Sequence, residues 1–179
     1  MSNSPESALD FIRKLGDQAI EVLAQTLNEA GKELRQKAID QIGQQLNLPR
    51  DYITRHVTVR QRATRTRLQV TISAESRPVL LERYDSQQQY RPGKTVPQVN
   101  DGVTVQVKAR GSRKRIRQGF FIRLRGSDTI GLAMRTGKGQ KAYKVLHGPS
   151  VAQAYSSVRD DIEPTSDELF QLFIERFQL

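Results

Sequence analysis

The chain has 179 residues, 36% hydrophobic and 27% charged, the proportions of a soluble globular protein with room for a real core. Its 29 Lys and Arg against 19 Asp and Glu give a net charge of +10, which points to a polyanion or an acidic surface as partner. Cys and Trp are absent, which excludes disulfides, thiolate metal sites and a Cys nucleophile, and no apolar run approaches the roughly 18 residues of a membrane span.

The opening residues Met1 to Glu6 are neither basic nor apolar, unlike a signal peptide, so synthesis in the cytoplasm is expected. Residues 5–46 read as one long amphipathic helix. Ile12, Leu15, Ala19, Leu23, Leu27, Ala30, Leu34, Ala38, Ile42 and Leu46 recur three or four apart and form one apolar stripe. Ser4 and Pro5 suit its start. Fully helical, it spans about 60 Å, more than one small sheet covers. Two readings stand: part of the stripe packs on a neighbouring subunit, or all of it covers this chain's own sheet. Gly16, Gly31 and Gly43 are candidate bends.

Pro49 breaks that helix, and Asp51 to Val57 form a short second one. From Thr66 to Ser73 the residues alternate, with Leu68, Val70 and Ile72 inward, as in a half-buried strand. Val79 to Leu81 read as a short strand or a bulged continuation. Ser86 to Pro97 has loop composition. Val103 to Lys108, Phe120 to Leu124 and Ile130 to Arg135 are strands, with a basic connection at Gly111 to Arg115 and a turn at Gly126 to Asp128. The connections are too short for parallel crossovers, so the three form an antiparallel meander. Pro149 starts a short helix through Val158, and Pro164 to Glu168 open a last helix with Leu169, Leu172, Phe173, Ile174 and Phe177 on its apolar face.

The expected architecture is α+β, in one domain over residues 1–179. A mostly antiparallel sheet of four to five strands occupies 66–135, packed by the long helix at 5–46 and by C-terminal helices at 149–178.

Charge is uneven along the chain. Residues 1–49 carry five bases and seven acids, and residues 145–179 carry two bases and six acids, so the middle holds all the excess. Acidic ends on a basic body suit a subunit whose faces meet different partners, or each other. Two basic clusters are candidate sites: Arg113, Lys114, Arg115 and Arg117, joined by Arg123 and Arg125 on one strand face, and a second cluster of Arg60, Arg62, Arg65 and Arg67. Both could take phosphates without reading sequence. Only Phe120 and Phe121 lie near the larger run, too few aromatics for base-specific stacking.

Little in the sequence suggests catalysis. His56 and His147 lack a nearby carboxylate or second His at ligand spacing, so structural or surface roles are expected. Ser150 beside His147 reads as part of a helix start rather than a nucleophile. Gly137-Lys138-Gly139 lacks the spacing of a phosphate loop and reads as a turn. Asp160-Asp161 and Asp167-Glu168 read as acids near helix starts, where the helix dipole favours them. No catalytic, metal or cofactor site is expected.

The order of landmarks carries a resemblance. An amphipathic helix ends near Leu46-Asn-Leu-Pro-Arg50, and Arg62-Ala-Thr-Arg65 leads into a strand. Val103-Thr-Val-Gln-Val-Lys108, Gly119-Phe-Phe-Ile122, the strand around Leu132, and Val145-Leu-His-Gly-Pro-Ser-Val-Ala-Gln153 follow. In that order they resemble the minor tail protein Z family of long-tailed bacteriophages and prophages, over nearly the whole chain but on short motifs. Gly148-Pro-Ser-Val151 is the most specific of them. The resemblance implies a non-enzymatic virion protein that completes the tail and helps join it to the filled head, as a homo-oligomeric ring around the DNA channel. Its partners would be other neck and tail proteins, with non-specific DNA contact and no membrane. The basic middle would then face the lumen, and the segments at 86–101 and 111–117 would order on assembly. The competing expectation, from charge alone, is a free-standing nucleic-acid-binding protein without sequence specificity.

Overall fold

The computed structural model describes residues 16–90 and 100–177. Among these residues are four helices: α1 (Asp17–Gln45), α2 (Arg50–His56), α3 (Val151–Ile162) and α4 (Ser166–Phe177). The strands are short: β1 (Val57–Gln61), β2 (Thr71–Ala74), β3 (Val79–Leu80), β4 (Ser86–Tyr90), β5 (Asn100–Val105), β6 (Lys114–Ile116), β7 (Gly119–Arg123), β8 (Ile130–Arg135), β9 (Tyr143–Val145) and β10 (His147–Gly148). A 3-10 turn, Leu81–Arg83, follows β3. No helix among the described residues is long and apolar enough to cross a membrane.

The class is α+β, as expected, but the single four- to five-stranded sheet is replaced by four small antiparallel ladders: β1–β2, β3–β10, β4–β5–β6 and β7–β8–β9. The expected meander fails because β5 pairs with β4 on one edge and β6 on the other, which leaves no edge for β7. The predicted strand at 66–73 begins only at Thr71, because Thr64 and Arg67 exchange backbone hydrogen bonds (2.8 and 3.0 Å) and close a turn. Its partner β1 was not expected, since it follows directly on α2. Ser86–Tyr90, read as loop, is strand β4, and the rest of that predicted loop, through Pro97, lies outside the described residues. Lys114–Ile116, within the predicted basic connection, is strand β6 in the isolated chain.

Helix α1 follows the predicted stripe to Gln45; the predicted start, with Ser4, Pro5, Ile12 and Leu15, lies outside the described residues. Its 29 residues span about 43 Å. The stripe serves two cores within this one chain. Ala38, Ile39, Ile42 and Leu46 join the main core with Ile53, Val57, Tyr84, Val103, Leu132 and Val151. Ala19 and Leu23 instead meet Phe173 of α4 in a second, smaller cluster. Gly31 is not a bend. A Cβ there would lie 2.6 Å from Val70 Cγ1, so the missing side chain lets the 62–70 segment lie against the helix. Asn28 holds the same segment, donating to the Ala63 carbonyl (3.0 Å) and accepting from its N–H (2.9 Å). Arg35 donates to the carbonyls of Val57 and Thr54 (both 2.7 Å), which stops α2 and starts β1.

Both C-terminal helices carry reciprocal caps. Ser150, not Pro149, stands at the α3 cap: Gln153 N–H donates to its Oγ (3.1 Å) and Ser150 N–H donates to Gln153 Oε1 (2.9 Å). Thr165 and Glu168 repeat the exchange at α4 (3.2 and 2.8 Å). Of the predicted α4 face, Phe173 is wholly buried while Leu172 is 43% exposed.

Tyr84 is the largest wholly buried side chain, and its hydroxyl donates to the Pro149 carbonyl. Gly148 lies against the ring, where a Cβ would sit 2.6 Å from Cε2. Burial pushes the Tyr84 phenol above its ordinary value of about 10. The contribution to stability is therefore whole below pH about 10 and is lost as pH rises beyond it. Tyr155 shifts the same way, chiefly through burial. Tyr84→Phe should flatten, without abolishing, the alkaline fall in Tm; an unchanged alkaline limb would refute this role.

Candidate polyanion-binding surface

The predicted basic residues do not form one surface. Arg113 donates to the carboxylate and the carbonyl of Asp85, and Arg115 is bound in the same two ways to Asp101. Both guanidinium groups are thus held against acids of their own chain. Lys114 and Arg117 are exposed and form no ion pair among the described residues. Arg123 ends β7 and stands 3.4 Å from Asp128, with both side chains largely in water, a contact of little energetic weight. Arg125 does not share a strand face with Arg123. The strand stops at Arg123, and Leu124 N–H donates to the Thr129 carbonyl (2.9 Å), so Arg125 rides in the hairpin turn. Arg117 lies in the turn that leads into β7, and Arg123 at the far end of that strand.

The second cluster lies along the segment that crosses α1. Arg60 on β1 and Arg62 just after it are exposed, and Arg67 is exposed in the Thr64–Arg67 turn. Arg65 pairs with Glu21 of α1, which holds that carboxyl below its ordinary range.

The register of the β7–β8–β9 ladder brings together cations that were not grouped in the sequence. Side chains alternate across the ladder, and Phe121 and Leu132 pack on the main core. Phe120, Arg135 and Tyr143 therefore share the outer face. The Arg135 guanidinium stands 4.9 Å from the Phe120 ring centroid, and Tyr143 meets that ring edge-on at 6.1 Å. Arg135 Nη1 also donates to the carbonyls of Gly139 (3.3 Å) and Gln140 (3.1 Å). Gly137-Lys138-Gly139 is the turn above it, as expected. A cleft of about 730 Å³ opens here, lined by Arg117, Phe120, Arg135 and Lys138 among others. The pairing of Arg135 with Phe120, fifteen positions away, had no signal in the sequence beyond a basic strand end.

The helices carry the opposite charge. Between α1, α3 and α4 runs an open groove of about 1050 Å³ whose lining includes Glu33, Asp161, Glu163 and Glu175 and a single cation, Lys37, over apolar Leu34 and Leu172. None of these four acids forms an ion pair among the described residues. Asp160 and Asp161 do not start a helix. They lie in the last turn of α3, where the dipole disfavours them, and Asp160 is offset by Arg159 at 2.9 Å. Asp167 and Glu168 do lie in the first turn of α4.

The two histidines sit in different settings. His56 Nδ1 lies 2.6 Å from the Tyr52 carbonyl and its ring stacks on Tyr52 at 4.0 Å, while His147 pairs with Leu80 in a ladder. Ser150 Oγ is engaged as the α3 cap. Compared with protein-family models, curated proteins and solved structures, the chain matches none.

Proposed function

We propose that this chain is a structural subunit of a tailed-phage neck, completing the tail and helping to join it to the head as part of a ring around the DNA channel. The resemblance of its ordered landmarks to the minor tail protein Z family suggests the role. The observation that carries it furthest is the separation of charge, with mostly acids in the groove of α1, α3 and α4 and, among the described residues, bases free of ion pairs on the β7–β8–β9 ladder and its turns. A closed ring of identical subunits needs two different, complementary surfaces on each copy. A channel for DNA needs cations that are not already neutralised. The lumen-facing candidates are accordingly Arg117, Arg135 and Lys138 rather than Arg113 and Arg115, whose charge is matched by Asp85 and Asp101. In this reading the protein resides in the virion and meets other neck and tail proteins.

Deleting the gene and scoring particles by electron microscopy tests the role. The expected result is filled heads and complete tails that remain unjoined, or joined particles that do not infect. Normal infectious virions would overturn it. The basic cleft on β7–β9 favours a second reading, a free-standing binder of nucleic acid. That protein would bind at micromolar or better near physiological salt without partners, whereas a ring subunit binds weakly alone.

A further inference from the structure

The geometry points to the cleft at the start of β7 as a site for the phosphodiester backbone of nucleic acid, bound without regard to sequence. It deepens the DNA contact proposed above and rests on that reading only for its occupant in the cell. The cleft is bounded by Arg117, Phe120, Arg135 and Lys138, and no acid lines it. The three cations are exposed and form no ion pair among the described residues.

Arg135 is the centre of the site because it is already immobilised. The Phe120 ring lies under its guanidinium and the Gly139 and Gln140 carbonyls hold Nη1. Its Nε and Nη2 donate to nothing among the described residues. A planar fork fixed by its own protein, with donors left over, loses little side-chain entropy when a phosphate arrives. Arg117 and Lys138 supply further charge at the same cleft. Tyr143, 38% exposed beside Phe120, adds an aromatic surface on which a sugar or base can pack. A held guanidinium with two further cations beside an exposed ring suits closely spaced phosphates better than the scattered carboxylates of a protein surface. Each contact is to charge or ring rather than to base edges, so the site reads no sequence.

The test uses the full chain and a fluorescein-labelled duplex of about 20 base pairs and arbitrary sequence, followed by anisotropy from about 50 to 200 mM salt. Arg135→Gln with Lys138→Gln should weaken binding at low salt about tenfold and reduce the slope of log K against log salt by about 1.8, two phosphate contacts' worth. Lys138→Glu alone, in an exposed turn where folding is indifferent, should weaken binding in the same sense. Arg113→Gln with Asp85→Asn, which removes a neutral pair, should leave the slope unchanged. The proposal is overturned if the cleft variants bind as the unaltered chain does, if the neutral-pair variant loses as much, or if the unaltered chain binds no duplex at low salt. Poly-glutamate competing as well as DNA at equal charge would also overturn it, making the cleft a site for acidic protein. Loss of the neck role in the deletion experiment, with duplex binding at the cleft intact, would remove the virion reading and leave this site standing.

Discussion

Phe173→Ala is expected to release α4 from α1 while the rest of the protein stays folded. Phe173 is wholly buried in the smaller core with Ala19 and Leu23, and its ring stacks on Phe177 at 5.5 Å. Removing a buried ring costs about 3–5 kcal/mol. Among the described residues that cluster has three buried members, against sixteen in the main core, and the hydrophobics packed around it are only partly buried, so the Phe173 ring is its centre. The Arg176–Glu29 pair across the same contact is exposed and cannot substitute for the ring. Hydrogen exchange reads the result. Amides of α4 and of α1 up to about Leu27 should lose protection, while those from Ala38 to Leu46 keep it. Loss of protection along the whole of α1 at one rate would mean that the two cores unfold as one unit, against this account.

Gly102→Ala should be the most damaging small substitution in the strands. Gly102 sits in β5 with φ +95°, a conformation an L-residue adopts at a cost of about 1–2 kcal/mol. A Cβ there would also lie 2.3 Å from the Ile116 carbonyl oxygen and 2.8 Å from the Arg117 Cα. Those atoms are backbone and cannot step aside, so β6 must move away from β5. A total of about 3 kcal/mol follows, or a fall in Tm of roughly 6–12 °C for a chain of this size. Because Arg117 moves with the strand, duplex binding should fall as well. Gly16 provides the contrast, with φ +85° but no described residue within 4 Å of its missing Cβ. Gly16→Ala should cost only the conformational part. Equal losses in the two variants would show that the clash at Ile116 is not what matters.

Elements whose pattern is set locally were legible in the sequence. The three-four spacing from Ala19 to Ile42 gives α1, and Gly126-Ser-Asp128 between two apolar runs gives the β7–β8 hairpin. Elements that depend on a partner were not. Ser86-Gln-Gln-Gln-Tyr90 has no apolar alternation and becomes a strand only because β5 pairs with it, Gln87 opposite Thr104. Which strands share a ladder is likewise decided by edge occupancy, which no local spacing encodes. The candidate site divides the same way. A run such as Arg113-Lys-Arg115 reads as unopposed charge, yet its counter-charges Asp85 and Asp101 lie 28 and 14 positions earlier. Arg135 looked like one more basic strand end, and its fixed position comes from Phe120 on the neighbouring strand.

Three of the ladders join strands adjacent in the chain, but β3 and β10 do not. Leu80 pairs with His147, and Gly148 with Val79, so two residue pairs close a loop of nearly seventy positions. Closing such a loop costs about 4 kcal/mol in chain entropy beyond the constant term, for very little ladder in return. The hairpins can therefore form early and independently, and this clasp must come late, once Tyr84 and the α3 cap have a core to dock on. Contacts made after the folding barrier slow unfolding and leave the folding rate almost untouched. The clasp thus governs how long a folded molecule lasts more than how quickly one forms, a difference that the two limbs of a chevron plot separate.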